Sequence, residues 1–129
     1  MKKMMPLLLT LALTLTGCAA PQASALSYRQ ITAQEAMDMM TAEKDYVILD
    51  VRTVQEYESG HIPGAICIPN ETIGSADVPE LPDKDQLILV YCRSWNRSKQ
   101  ASGKLVQLGY TNIVEFGGIN TWPGETVAE

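Results

Sequence analysis

Val90-Tyr91-Cys92-Arg93-Ser94-Trp95-Asn96-Arg97-Ser98 is the stretch from which the rest of the chain is read. An apolar run, Leu87-Ile88-Leu89-Val90-Tyr91, leads into it and ends on a cysteine. The run is aliphatic on both parities, as a strand covered on both faces requires. Beyond the cysteine come a short polar loop and a helical pattern over 98–108 closed by Gly109. Cys92 therefore sits where a strand ends, a loop turns and a helix begins. Free N–H groups and the positive end of the helix dipole favour an anion there. Successive loop N–H groups can form an anion-binding nest. Arg93 and Arg97 add two permanent positive charges. All three effects favour thiolate over thiol, so the pKa of Cys92 is expected below that of a free cysteine, in a partly open basic loop. Such a thiolate is a nucleophile. A buried cysteine that ends a strand by chance would explain neither the arginines nor the helix start.

Working outward, the pattern alternates. A first short strand is expected over 28–31. Thr32-Ala33-Gln34-Glu35 is a capping box that opens a helix through about 43, with Met37, Met39 and Met40 as core and groove filler. A strand is expected over 46–51, then a second capping box, Thr53-Val54-Gln55-Glu56, opens a short helix ended by Gly60. Residues 65–69 suggest a short buried strand holding Cys67, and 70–82 is irregular with one helical turn near Glu71. After the Cys92 loop and its helix, a last strand covers 111–116, and Gly117-Gly118 turns into a final helical turn ending near Pro123. Strands alternating with helices predict an α/β domain of three layers, a central parallel sheet with helices on both faces. Catalytic loops of such sheets lie beyond the carboxyl ends of the strands, which is where Cys92 falls.

Cys92-Arg93-Ser94-Trp95-Asn96-Arg97-Ser98 resembles the active-site loop of the rhodanese family of sulfurtransferases. Three further stretches are similar to the same family in the same order. They are Leu49-Asp50-Val51-Arg52 followed by Glu56-Tyr57, then Gly60-His61-Ile62-Pro63-Gly64-Ala65, then Gly117-Gly118-Ile119-Asn120-Thr121-Trp122. The resemblance implies a rhodanese-like domain over 28–129. It also implies transfer of a sulfane sulfur, from thiosulfate or a persulfide donor to a thiol or cyanide acceptor, through a persulfide on Cys92. It implies Arg93, Ser94, Trp95, Asn96, Arg97 and Ser98 as substrate-binding residues and needs no metal or organic cofactor. The loop departs from its commonest form at Trp95, where a small residue, usually Gly, stands. If that Gly served a positive φ, Trp95 is strained; if not, its indole sits at the mouth of the site.

Two other classes compete. A phosphatase or arsenate-reductase-like enzyme uses a similar loop, but with Cys-x5-Arg to surround a tetrahedral oxyanion. The spacing from Cys92 to Arg97 is one residue shorter and suits a single sulfur atom. A non-catalytic surface binding module would leave the cysteine and the arginines without a purpose. Around the site, Asp50 and Arg52 are expected to brace the loop, because a carboxylate pointing into it would oppose the anion field. Arg52 and Glu56 are candidates to pair. His61, the only histidine, stands in the turn that the family resemblance makes structural, so loop dipoles rather than a Cys–His dyad should activate Cys92. Ser98 is expected to cap the helix, and Trp122 to pack.

The N-terminus has a different character. Lys2 and Lys3 precede an apolar core over 6–16 that is too short to span a membrane and fits a secretory signal. Leu15-Thr16-Gly17-Cys18 resembles the lipobox of bacterial lipoproteins. The expectation is a lipoprotein signal peptide over 1–17, a lipidated Cys18, a tether over 18–27, and a monomeric enzyme anchored to a membrane of the bacterial cell envelope through its N-terminal lipid. Loss of the two leader lysines takes the net charge from −5 to −7. An acidic domain with no basic run argues against nucleic acid as a partner. Of the three cysteines, Cys67 is expected to fill space. Because the strands of Cys67 and Cys92 are not neighbours in the family's sheet, the resemblance argues against a bridge between them.

Overall fold

The computed structural model describes residues 27–128; the leader, Cys18 and nearly all of the tether lie outside the described residues. Five parallel strands form one sheet in the order β1-β5-β4-β2-β3. They are β1 (Arg29–Gln30), β2 (Tyr46–Asp50), β3 (Ile66–Cys67), β4 (Leu87–Cys92) and β5 (Ile113–Gly118). Helices α1 (Ala33–Ala42), α2 (Val54–Ser59) and α3 (Asn96–Gln107) connect them, with 3₁₀ turns at Asn70–Thr72 and Ile119–Thr121. The expected parallel sheet between helical layers is therefore present.

β4 lies at the centre, and all six of its residues are buried. Leu87, Leu89 and Tyr91 join the core under α1, with Ala33, Ala36 and Phe116. Ile88, Val90 and Cys92 join the core under α3, with Ala101, Leu105 and Val106. A strand with two buried faces needs an apolar residue at every position, which is why this run does not alternate. Truncating one of these side chains to Ala should cost about 2–5 kcal/mol.

Both capping threonines act as expected at the helix starts. Thr32 Oγ1 accepts from Glu35 N–H at 3.1 Å, and Thr53 Oγ1 accepts from Glu56 N–H at 3.2 Å. Three boundaries differ from expectation. α3 starts at Asn96, with Trp95 at its N-cap, so Arg97 and Ser98 lie inside its first turn. The strand of Cys67 is a two-residue edge strand, with Ile66 exposed and Cys67 half-buried, because among the described residues nothing pairs beyond it. β5 runs on through Gly117 and Gly118 rather than ending at Phe116. Cys67 and Cys92 are both free and are separated by β2. They also face opposite sides of the sheet, since Cys67 is in register with Asp50 and thus with Tyr91, whereas Cys92 packs under α3.

Candidate active site

β4 and β5 are out of step where the site forms. Val90 pairs with Glu115, yet Cys92 pairs with Gly118, so β5 carries one residue more than β4 across this interval. This is a β-bulge, a device that re-aims side chains. Gly117 takes φ +86°, which suits glycine. Gly118 is glycine for another reason: a Cβ there would stand 2.2 Å from Arg93 O and 2.5 Å from Ser94 N. The backbone of the Cys92 loop closes directly on Gly118, and Asn120 N–H donates to Arg93 O at 3.1 Å.

Cys92 ends β4 beneath this loop and is 1 % exposed, so the sulfur is covered rather than partly open as expected. Its side chain points to the α3 face of the sheet. There Sγ lies 3.4 Å from Ser98 Oγ and 3.8 Å from Gly117 O. The N–H groups of Ser94, Trp95, Asn96, Arg97 and Ser98 donate to no protein acceptor among the described residues. They line the loop and the first turn of α3, and are the donors an anion on the sulfur would use.

Ser98 is not the helix cap. It sits in the first turn, fully buried, and donates to Glu115 Oε1 at 2.6 Å, with Trp95 O at 3.0 Å and Gly117 O at 3.2 Å. Glu115 was unforeseen. It is 3 % exposed, its Oε1 also accepts from Gly117 N–H at 2.7 Å, and its Oε2 accepts from Gln30 Nε2 at 3.3 Å. A carboxylate inside an apolar strand, Ile113-Val114-Glu115-Phe116, was the signal that could have found it.

Arg97 faces Glu56 across two elements, with Nη1–Oε1 at 2.7 Å and Nη2–Oε2 at 3.0 Å. This fork holds the Glu56 carboxyl at about 2 and raises Arg97, with the hydrogen bonds as the largest cause. Glu56 therefore pairs with Arg97 and not with Arg52. Arg52 instead folds back on Asp50 through Nε–Oδ1 at 3.0 Å and Nη2–Oδ2 at 2.7 Å, and reaches Gly60 O at 2.6 Å. The Asp50–Arg52 pair thus ties down the end of α2 and not the Cys92 loop itself. Since α2 carries Glu56, the support reaches the loop through Arg97. His61 stacks on Tyr57, with ring centroids 3.7 Å apart, and its Nδ1 lies 2.8 Å from Tyr57 O. Trp122 packs on Phe116.

Trp95 has φ 175°, outside the left-handed region that favours glycine, so no such φ is involved. It is 58 % exposed at the rim of the loop. Its cation partner is Lys99, one turn along α3 with Nζ 4.3 Å from the ring centroid, and neither Arg93 nor Arg97. Arg93, Ser94 and Asn96 are exposed around the same rim. Cys67 is a contrast to Cys92: burial, with the Asp50 carboxylate beside it, pushes its thiol up to about 11, so it is no nucleophile at neutral pH.

A bulged strand, a glycine pair and a helix start folded round one cysteine at the rim of a parallel sheet define a cysteine-loop α/β domain. The chain belongs to the rhodanese family: the pattern described as the Rhodanese-like domain matches residues 32–125. It is 35 % identical over 71 residues to the thiosulfate sulfurtransferase PspE of Escherichia coli (strain K12), covering 55 % of this chain and 68 % of that one. It is 33 % identical over 104 residues to the thiosulfate sulfurtransferase GlpE of Pseudomonas entomophila (strain L48), covering 77 % and 92 %. Among solved structures, a rhodanese with anions from E. coli superimposes with a TM-score of 0.60 at 31 % identity, covering 65 % of this chain and 99 % of that one. A rhodanese-like domain from Anabaena sp. superimposes with a TM-score of 0.69 at 28 % identity, covering 80 % and 81 %.

Proposed function

We propose that the chain is a rhodanese-type sulfurtransferase that carries a sulfane sulfur as a persulfide on Cys92. The enzyme class is that of the relatives named thiosulfate sulfurtransferase. The Cys92 thiolate attacks the outer sulfur of thiosulfate or of a persulfide. A new S–S bond forms at Cys92, the donor's own S–S bond breaks, and sulfite or a thiolate leaves with the electron pair. The unengaged N–H groups of 94–98 hold the persulfide anion. A thiol or cyanide then takes the outer sulfur and returns Cys92. The observation that carries this reading is the set of free loop amides around one buried sulfur. A phosphatase loop of this style sets its arginine one residue farther on, as Cys-x5-Arg; here Arg97 stands at Cys-x4-Arg and is forked onto Glu56.

Mass spectrometry of the protein after incubation with thiosulfate should find one added sulfur on Cys92. Cys92→Ser should abolish transfer, whereas Cys67→Ser should keep most of it. Loss of activity in both variants with intact folding would point to a dithiol mechanism and sink the single-cysteine cycle.

The protein is further proposed to work as a monomer held to a bacterial envelope membrane by a lipid on Cys18. Support comes from Lys2, Lys3, the apolar core and Leu15-Thr16-Gly17-Cys18. Metabolic labelling with a fatty acid should mark the protein, and Cys18→Ala should remove the label. Unlabelled wild-type protein free in the medium would overturn the anchor.

A further inference from the structure

We propose that Cys92 and Glu115, joined by Ser98, form one proton-sharing unit that carries a single negative charge. The charge rests on the carboxylate while Cys92 is a thiol, and on the sulfur once Cys92 is a thiolate or persulfide. This rests on Cys92 as the sulfur-carrying group and adds to it the place where the thiol proton goes.

The hydrogen-bond inventory around Ser98 sets the direction of the chain. Its oxygen is surrounded by acceptors: Glu115 Oε1, Trp95 O and Gly117 O. Among the described residues, the one donor beside it is the Cys92 thiol, at 3.4 Å. The shortest acceptor contact, 2.6 Å, goes to the carboxylate. With Cys92 protonated, S–H donates to Ser98 Oγ, and Ser98 O–H donates to Glu115. When the S–H bond breaks, its electron pair stays on sulfur and its proton passes to Ser98 Oγ. Ser98's own proton passes to Glu115 Oε1. Afterwards Glu115 O–H donates to Ser98, and Ser98 O–H donates to the sulfur anion. Every group remains bonded, and the number of buried charges is unchanged.

Charge is the second reason. Glu115 is buried with no ion-pair partner among the described residues. A buried unpaired carboxylate is costly to keep, and an amide would serve as well for structure alone. Contacts of 3.4 Å and 2.6 Å end to end place the sulfur and the carboxylate oxygen within 6.0 Å. Two anions that close in a buried site repel each other. The other groups packed on Glu115, Gln30 from β1 and the Gly117 amide from β5, are uncharged. Across the loop, Arg97 senses Cys92 but is forked onto Glu56, with Glu71 behind it, and Arg93 is exposed.

The test is the rate of Cys92 alkylation by iodoacetamide against pH in the full chain, followed on the Cys92 peptide by mass spectrometry. Glu115→Gln keeps an acceptor for Ser98 and Gly117 but removes the charge. Its profile should reach half its maximum about one unit lower, so that alkylation at mildly acidic pH rises about tenfold. Ser98→Ala leaves the carboxylate in place and should not reproduce that fall. A Glu115→Gln profile that stays with wild type or moves to higher pH overturns the proposal, as does the same fall in Ser98→Ala. The second readout needs no variant to fold. Infrared difference spectra of the wild type, sulfur-loaded minus resting, should gain the C=O stretch of a protonated buried carboxyl, and its absence overturns the proposal. Alkylation involves no sulfur transfer. If thiosulfate fails to load Cys92, the sulfurtransferase reading fails while the alkylation profiles still decide this one.

Discussion

Two adjacent glycines at the end of β5 do different work, and the difference is testable. Gly117 supplies a positive φ, whereas Gly118, at φ −159°, is backbone that any residue adopts. What Gly118 lacks is room, because a Cβ would stand 2.2 Å from Arg93 O. Gly118→Ala must push the Cys92 loop away from β5. The expected result is a modest stability loss of about 1–3 kcal/mol, as for overpacking. Turnover should fall about 10²-fold, as displacing a reacting group by about 1 Å can do. Thermal denaturation beside steady-state kinetics checks both; normal turnover would mean that the loop can shift without cost. Cys92, its loop and the glycine pair were legible in the sequence because each is a local pattern. Glu115 was not. Its meaning comes from a register slip against β4, a long-range fact that no window along the chain contains. The Ser98 cap failed for a related reason. The serine looked like a helix boundary locally, but a buried carboxylate on another strand claims its hydroxyl.

Two ion pairs tie the end of β2, helix α2 and the start of α3 together beside the Cys92 loop. α2 is fixed at its end by Asp50 and Arg52, carries Glu56, and through it holds Arg97 in the first turn of α3. Sequence spacing suggested Arg52 for Glu56, since four residues separate them. The fold brings Arg97 instead, from a residue 41 positions away. Glu56 is depressed to about 2 from an ordinary 4.5. A group whose folded value is depressed contributes stability that is present above 4.5 and is lost as pH falls toward 2. The pair is partly exposed, so about 0.5–1 kcal/mol is expected. Denaturant midpoints of wild type and Glu56→Gln should therefore differ at pH 6 and converge between pH 4.5 and 2. A difference that persists at pH 2 would show that Glu56 acts by packing and not through its charge.

At the scale of the whole molecule, an acidic protein has to admit an anion. Lys and Arg number 10 against 15 Asp and Glu, a net charge of −5, yet the rim of the site carries exposed Arg93. A donor such as thiosulfate feels both, and the two have different ranges. Negative charge beyond the screening length of about 10 Å at 0.1 M salt is largely screened at the loop. Arg93 follows the nucleophile directly and acts within that length. Its attraction should dominate, and the KM for thiosulfate in the wild type should rise with ionic strength. Arg93→Ala removes the nearest exposed positive charge and leaves Lys99, on the Trp95 ring, against the acidic surface. Its KM should be higher at low salt and should rise less steeply as salt is added. Steady-state kinetics across a salt series give the slope for both proteins. If Arg93→Ala keeps the wild-type slope, donor attraction comes from the loop amides and the start of α3, and Arg93 has no part in steering the anion.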